Sequence, residues 1–341
     1  MLTRDNCSDP ENIFCNNQNL FICLCLQFVT TMMDPNLPRD FLHACQSGDI
    51  LKVKELVSKH EVQDWTLFRH TTSGDTALHV AARQGHFNIV RFLCEVFEKP
   101  NFKVNVANKD MKRPLHEAAQ FTHSDIVKYL IEQGATIDTL KRADWTPLML
   151  ACTKTGSEAY KSISELLKAK ANLYLKNKDG WTPLHMICRS GDQNAFDLLV
   201  NQSPKCIDDR SNNGRSVMHI AAFHGHEGLI ERLAEINPNL LSARDSSGST
   251  PLHEAIKGGH LATAKRMINL GADVGATDRV GQTILHLAAL TGNVDAVKFI
   301  LENNLLDVHV EAMFNVTPLV AARRSNQMDT VECLVGYGAL K

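Results

Sequence analysis

Thr182-Pro183-Leu184-His185 is the stretch whose reading decides the fold, because it returns along the whole chain. Close copies read Thr76-Ala77-Leu78-His79, Arg113-Pro114-Leu115-His116 and Thr146-Pro147-Leu148-Met149. Later ones read Ser216-Val217-Met218-His219, Thr250-Pro251-Leu252-His253, Thr283-Ile284-Leu285-His286 and Thr317-Pro318-Leu319-Val320. Phe41-Leu42-His43 is a degenerate first copy. Counted from His43, the fourth positions lie 36, 37, 33, 36, 34, 34, 33 and 34 residues apart. A fixed period of this length marks stacked units that bury their apolar faces on each other. The 341 residues therefore read as one solenoid instead of the two or so globular domains their number alone would imply.

Each unit reads as two short helices. Thr or Ser ahead of the first helix can cap its exposed N–H groups, and proline at the next position has the required φ and lacks only a donor the helix does not need. Ala81-Ala82 keeps that helix thin, Gln84-Gly85-His86 turns the chain, and Ile89-Val90 with Phe92-Leu93 gives the second helix its apolar face. Residues 36–341 make about nine such units, without a polar capping unit after Gly338-Ala339. The first unit, 36–69, lacks a clean motif, as a terminal cap would, and Trp65 reads as its core. The fourth carries about three extra residues between Thr155 and Ser164, where Gly156, Ser157 and Ser162 point to a longer helix–helix turn.

Residues 1–35 do not fit the period. They read as a disordered extension, or as upstream sequence ahead of a true start at Met33. The apolar run Leu20–Leu26 is too short to span a bilayer. Arg4 followed by Asp5, Asp9 and Glu11 is a poor signal-peptide start.

Composition sets the bounds on chemistry. Apolar residues make up 44%, charged residues 22%, and the net charge is -2. That balance does not fit a protein gripping nucleic acid by phosphate neutralisation, and no membrane association is expected. The ten cysteines do not recur at one repeat position. Cys152 and Cys188 take the place of Ala82 and read as small buried hydrophobes in a reducing compartment, cytoplasm or nucleus. The TPLH-type histidines (His43, His79, His116, His185, His219, His253, His286) stand a whole unit apart. That is about 10 Å, too far for shared metal ligation. They read as hydrogen-bonding groups between units, and His86, His226 and His260 likewise. Cys23-Leu24-Cys25 has no matching ligand pair, and Asp208-Asp209 has no defined pocket. No nucleotide-binding or nucleophile motif occurs, so no cofactor, metal or conventional enzymatic activity is expected.

Two fingers carry more. Trp145 and Trp181 both stand one residue before Thr-Pro, with Lys141, Arg142 and Asp144 on one finger and Lys176, Lys178 and Asp179 on the next. Adjacent units would bring aromatic area and positive charge together, the composition of binding hot spots. Against that stands the plainer reading, in which the rings pack on neighbouring fingers and the lysines merely solvate the loops.

The motif, with Gly259-His260 and Gly271-Ala272-Asp273 in units of about 33 residues, resembles the ankyrin-repeat family. The resemblance implies an all-α solenoid of helix-turn-helix units with projecting hairpin fingers, and a hollow binding face made of fingers and first helices. Residues Lys112–Ala119, Leu140–Leu148 and Lys176–Trp181 further resemble those members described as co-factors of alanyl-tRNA synthetase. What this implies is a partner-binding protein that supports proofreading against serine mischarging by accepting activated serine on lysine amines. One acceptor position falls on Lys178. A second falls on Arg142, a poor acceptor, with Lys141 just before it, and the third falls on Asp208, with Lys205 three residues earlier. The alternative is a generic protein-binding scaffold with an unrelated partner.

Overall fold

The computed structural model describes residues 34–96 and 103–340. Apart from Asp34 and Pro35, the expected extension lies outside the described residues, as do Cys7, Cys15, Cys23 and Cys25. Nine helix pairs follow in order among the described residues. They are α1 (Leu37–Ser47) and α2 (Ile50–Lys59), α3 (Ala77–Gln84) and α4 (Phe87–Glu95), α5 (Pro114–Gln120) and α6 (Ser124–Glu132). Next come α7 (Pro147–Ala151) and α8 (Ser157–Lys168), α9 (Pro183–Ser190) and α10 (Gln193–Gln202), α11 (Val217–Phe223) and α12 (Glu227–Ile236). The series closes with α13 (Pro251–Lys257) and α14 (Leu261–Asn269), α15 (Ile284–Thr291) and α16 (Val294–Glu302), α17 (Pro318–Arg324) and α18 (Met328–Gly336). First helices pack on first helices and second on second, unit by unit. The described residues form no sheet, only isolated bridges at the finger bases, such as Lys141 with Trp145.

Burial explains the order. In the third unit Leu115, Ile126, Val127 and Leu130 are all fully buried, each side chain stabilising by roughly 1.5–3 kcal/mol before conformational entropy is counted. Alanines at the contacts, among them Ala81, Ala118, Ala221 and Ala288, are also fully buried and let neighbouring first helices approach closely. Trp65 is core, and its indole N–H donates to the Leu93 carbonyl at 3.2 Å. Cys152 and Cys188 are fully buried, and burial pushes both thiols above their ordinary range.

Two expectations need correction. The extra residues of the fourth unit do not all enter a turn. The turn lengthens to Cys152–Gly156, but Ser157 and Ser162 lie inside α8, which at 12 residues is the longest of the helices described, and Ser162 is buried. An apolar stripe at Ala159, Ile163, Leu166 and Leu167 carries that helix onto the core. His43 also departs from its class. It is exposed in the first unit and lines an apolar depression with Pro35, Pro38 and Leu42, so it does not join units.

Candidate protein-binding face

The fingers are held as a continuous series by their own backbone. A finger amide donates to a carbonyl of the preceding finger at every step from the second unit to the ninth. The bonds run from Lys109 to Ser73, Arg142 to Asp110, Lys178 to Ala143, Asn212 to Asp179, Ser246 to Asn213, Arg279 to Ser247 and Met313 to Val280, all at 2.9–3.1 Å. The fourth finger is unusual. Ala143 and Asp144 hold φ of 66° and 62°, where the fifth uses Gly180 alone at φ 78°.

Beneath the fingers the histidines join units. In His219, Nδ1 accepts from the Ser216 hydroxyl at 2.8 Å, and the Nε2–H donates to the Ser249 carbonyl of the next unit at 3.0 Å. His79, His116, His185, His253 and His286 make the same bridge, to Lys112, Thr139, Arg215, Gln282 and Val316 carbonyls respectively. Burial is the main cause that holds His116, His185 and His219 down at about 4, so all three are neutral near pH 7. Where the motif lacks histidine, the Thr146 and Thr317 hydroxyls accept from the Met149 and Val320 amides instead. A second set sits at the helix turns. The Nε2–H groups of His86, His123 and His226 donate to the Gln46, Arg83 and Arg189 carbonyls, each at 3.0 Å. His123 belongs with this set although Thr122 stands where its other turns have glycine, so the Gly-His pair that marks them is absent from the sequence there.

In four units the residue before the Thr position meets the residue seven after it where finger joins first helix. Asp75 pairs with Arg83 at 2.6 Å, Lys112 donates to Gln120 at 2.9 Å, Lys257 donates to Ser249 at 3.0 Å, and the Arg215 guanidinium lies 5.8 Å from the Phe223 ring centroid. Trp145 with Thr153, and Trp181 with Arg189, hold these two positions in the fourth and fifth units. The indoles therefore line the finger-side face near its middle. Both are half-buried against the core, with neither fully exposed nor hidden.

Of the charged groups around them, several are already engaged. Lys141 Nζ lies 5.4 Å from the Trp145 ring centroid, and burial followed by the nearby Lys112 charge holds its amine below the ordinary lysine range. Arg142 pairs with Asp110 at 3.5 Å, both exposed. Lys176 pairs with Asp209 at 3.3 Å and donates to the Arg210 carbonyl at 3.0 Å. Lys178 is exposed at the finger tip beside exposed Asp179, while Asp144 is half-buried. The indoles and amines therefore do not all stand outward together. Lys178 projects, Lys141 lies over its own tryptophan, and Lys176 is tied to the next finger.

Ion-pair clusters that the sequence reading missed flank the tryptophans. Glu117, fully buried, receives Arg83 at 2.8 Å and Lys112 at 3.2 Å. Glu254, also fully buried, receives Arg215 at 2.5 Å and Lys257 at 3.1 Å. Both acids stand four residues after their Thr position, so aligning the copies on that position would have exposed the pattern. Between the clusters, Thr153, Lys154, Met186, Arg189 and Ser190 line a depression of about 350 Å³. Among the described residues no group of three or more His, Cys, Asp or Glu side chains is placed to hold a metal, and no helix is long and apolar enough to cross a membrane.

Stacked helix pairs with a linked row of fingers define a repeat-built solenoid protein. A family model for ankyrin repeats matches in overlapping blocks from residue 14 to residue 341, and the chain belongs to the ankyrin-repeat family. It is 30% identical over 152 residues to the transient receptor potential cation channel subfamily A member 1 of Drosophila melanogaster, covering 44% of this chain and 12% of that one. It is 35% identical over 130 residues to alpha-latroinsectotoxin-Lt1a of Latrodectus tredecimguttatus, covering 38% of this chain and 9% of that one. A B-cell lymphoma 3 protein homolog of Mus musculus is 30% identical over 130 residues, covering 38% of this chain and 29% of that one. The chain thus spans a small part of each relative's length.

Proposed function

We propose that this protein is a non-catalytic scaffold that docks a partner protein on its finger-side face, centred on the fourth and fifth units. The observation that carries this reading is the pair of half-exposed indoles, Trp145 and Trp181, held at equivalent places on fingers locked together by the Lys178-to-Ala143 hydrogen bond. Aromatic side chains fixed before binding lose little entropy when they dock. Affinity capture from cytoplasmic and nuclear extracts should recover a partner with the native chain and lose it with Trp145→Ala/Trp181→Ala. Equal recovery by both proteins would refute this placement.

A finer reading names the partner. The likeness to ankyrin repeat domain-containing protein 16 in Lys112–Ala119, Leu140–Leu148 and Lys176–Trp181 favours alanyl-tRNA synthetase and a role in proofreading against serine. On this reading Lys141 and Lys178 are the seryl acceptors, and Arg142, Asp144, Lys176 and Asp179 border the contact. A deprotonated lysine nitrogen attacks the carbonyl carbon of seryl adenylate. The new C–N bond replaces the C–O bond to AMP, which leaves, and the amine proton passes to solvent. The lowered Lys141 ammonium favours the attacking form more than an ordinary lysine would. Purified chain incubated with the synthetase, ATP and serine should gain seryl mass that is lost with Lys141→Arg/Lys178→Arg. Binding without added mass would leave only the scaffold, and failure to associate at micromolar concentration would remove this partner.

A further inference from the structure

Resting on the finger-side docking reading, we infer that the depression between the fourth and fifth units is a carboxylate pocket, in which Arg189 and Lys154 receive an Asp or Glu side chain of an extended segment of the partner.

Equivalent cations on this face differ in what answers them. Arg83, Lys257 and Arg189 all stand seven residues after their Thr position. Arg83 is answered by Asp75 and by buried Glu117 of the next unit. Lys257 is answered by buried Glu254 of its own unit. At the corresponding places around Arg189 the chain has Trp181, Met186 and, in the next unit, Ile220. None is an acid, and Arg189 makes no ion pair among the described residues. Asp192 is close in sequence, but its oxygens are engaged, one by the Ala195 amide at 3.0 Å and the other by the Gly156 amide at 3.0 Å. Lys154, on the same depression, is also without an ion pair among the described residues. His224 lies near this charge, since after burial it is Arg189 that most holds it down.

Lys154 and Arg189, both exposed, line the depression together with Met186, which is 2% exposed, and its volume of about 350 Å³ admits one side chain. The Thr153 and Ser190 hydroxyls on its rim donate to carbonyls of their own helices, which leaves the charged groups to select the ligand. Twice on this face the fold answers such a cation with a carboxylate. Arg324 of the ninth unit, like Arg189, has no ion pair among the described residues, but Arg189 shares its depression with a second cation, Lys154, which leaves that place for a carboxylate of another molecule. Trp145 and Trp181 belong to the same two units but do not line the depression, so on the docking reading it is the more distant apolar residues of the same extended segment that reach the indoles. The ligand chemistry is therefore an acidic residue in a segment that also carries large apolar ones.

The test uses the full chain and a labelled, end-capped twelve-residue peptide of alternating glutamate and leucine, with its glutamine counterpart, in fluorescence anisotropy. The glutamate peptide should bind about 10-fold more tightly, the scale of a charge-assisted contact. Lys154→Gln/Arg189→Gln should erase that difference. Lys128→Gln/Lys298→Gln makes the same charge change on the outer helices and should preserve it, as should Arg324→Gln, which removes an equivalent cation four units away. No binding of the glutamate peptide at about 1 mM, equal affinity for the two peptides, or a preference surviving Lys154→Gln/Arg189→Gln would each overturn the inference. So would stronger binding of a phosphoserine version that leaves the glutamate peptide unbound. If these arms fail while Trp145→Ala/Trp181→Ala still loses a captured partner, the pocket falls and the docking face stands.

Discussion

Histidine, usually a surface group that titrates near neutrality, works here as a buried neutral connector. Below pH 6.5, the ordinary imidazole value, the unfolded chain takes up protons that His116, His185 and His219, held at about 4, refuse in the fold. Their contribution is present in full above pH 6.5 and declines as the pH falls toward 4. By pH 5 each would have lost about 2 kcal/mol. Urea unfolding midpoints should therefore drop steeply between pH 7 and 5, and His219→Gln should make that drop shallower while lowering stability at pH 7 by about 2 kcal/mol. A second residue prediction concerns Ala143, whose φ of 66° suits glycine. Ala143→Gly should raise stability by about 1 kcal/mol, read from the same midpoints.

The turns joining each helix pair carry the next scale. Gly191 ends α9 with φ 82°, and the His226 ring of the following unit lies over it so closely that a Cβ there would sit 2.5 Å from Cε1. The ring cannot move aside without breaking its bond to the Arg189 carbonyl. Gly191→Ala should cost about 2–3 kcal/mol through strain and displaced packing. Hydrogen exchange should show the loss as faster opening of the amides between α9 and α12, with the flanking units little changed. Equal acceleration from end to end would argue against a turn-local effect. Much at this scale was legible in sequence. The period located the helix pairs, and the bridging role of the TPLH histidines followed from spacing alone except at His43, which the degenerate first unit leaves exposed. The extra residues at Thr155–Ser164 were misassigned to a turn because glycine and serines outweighed Ala159, Ile163 and Leu166, whose helical spacing carries them into α8. Glu117 and Glu254 were missed because their meaning lies in the neighbouring unit, in cations 34 and 39 residues away.

Across the whole molecule, the stack places its charge pairs unevenly. Buried acids neutralise the finger-side cations of the second, third, sixth and seventh units, whereas the middle keeps free cations and partly open indoles. Period and composition could say that such a face exists. They could not say which lysines remain free, since Lys176 is engaged by Asp209 and Lys141 by its own tryptophan ring, contacts fixed only once the fingers stack. The row of finger hydrogen bonds also has a mechanical meaning. From the second unit to the ninth each finger is strapped to the next by a backbone bond outside the helices, so tension on the chain ends reaches the straps in series. Drawn out in an optical trap, the protein should lengthen in steps of roughly 120 Å, one unit of about 34 residues at ~3.5 Å each. The weakest strap would set the first yield force, and the strained fourth finger is where it should lie.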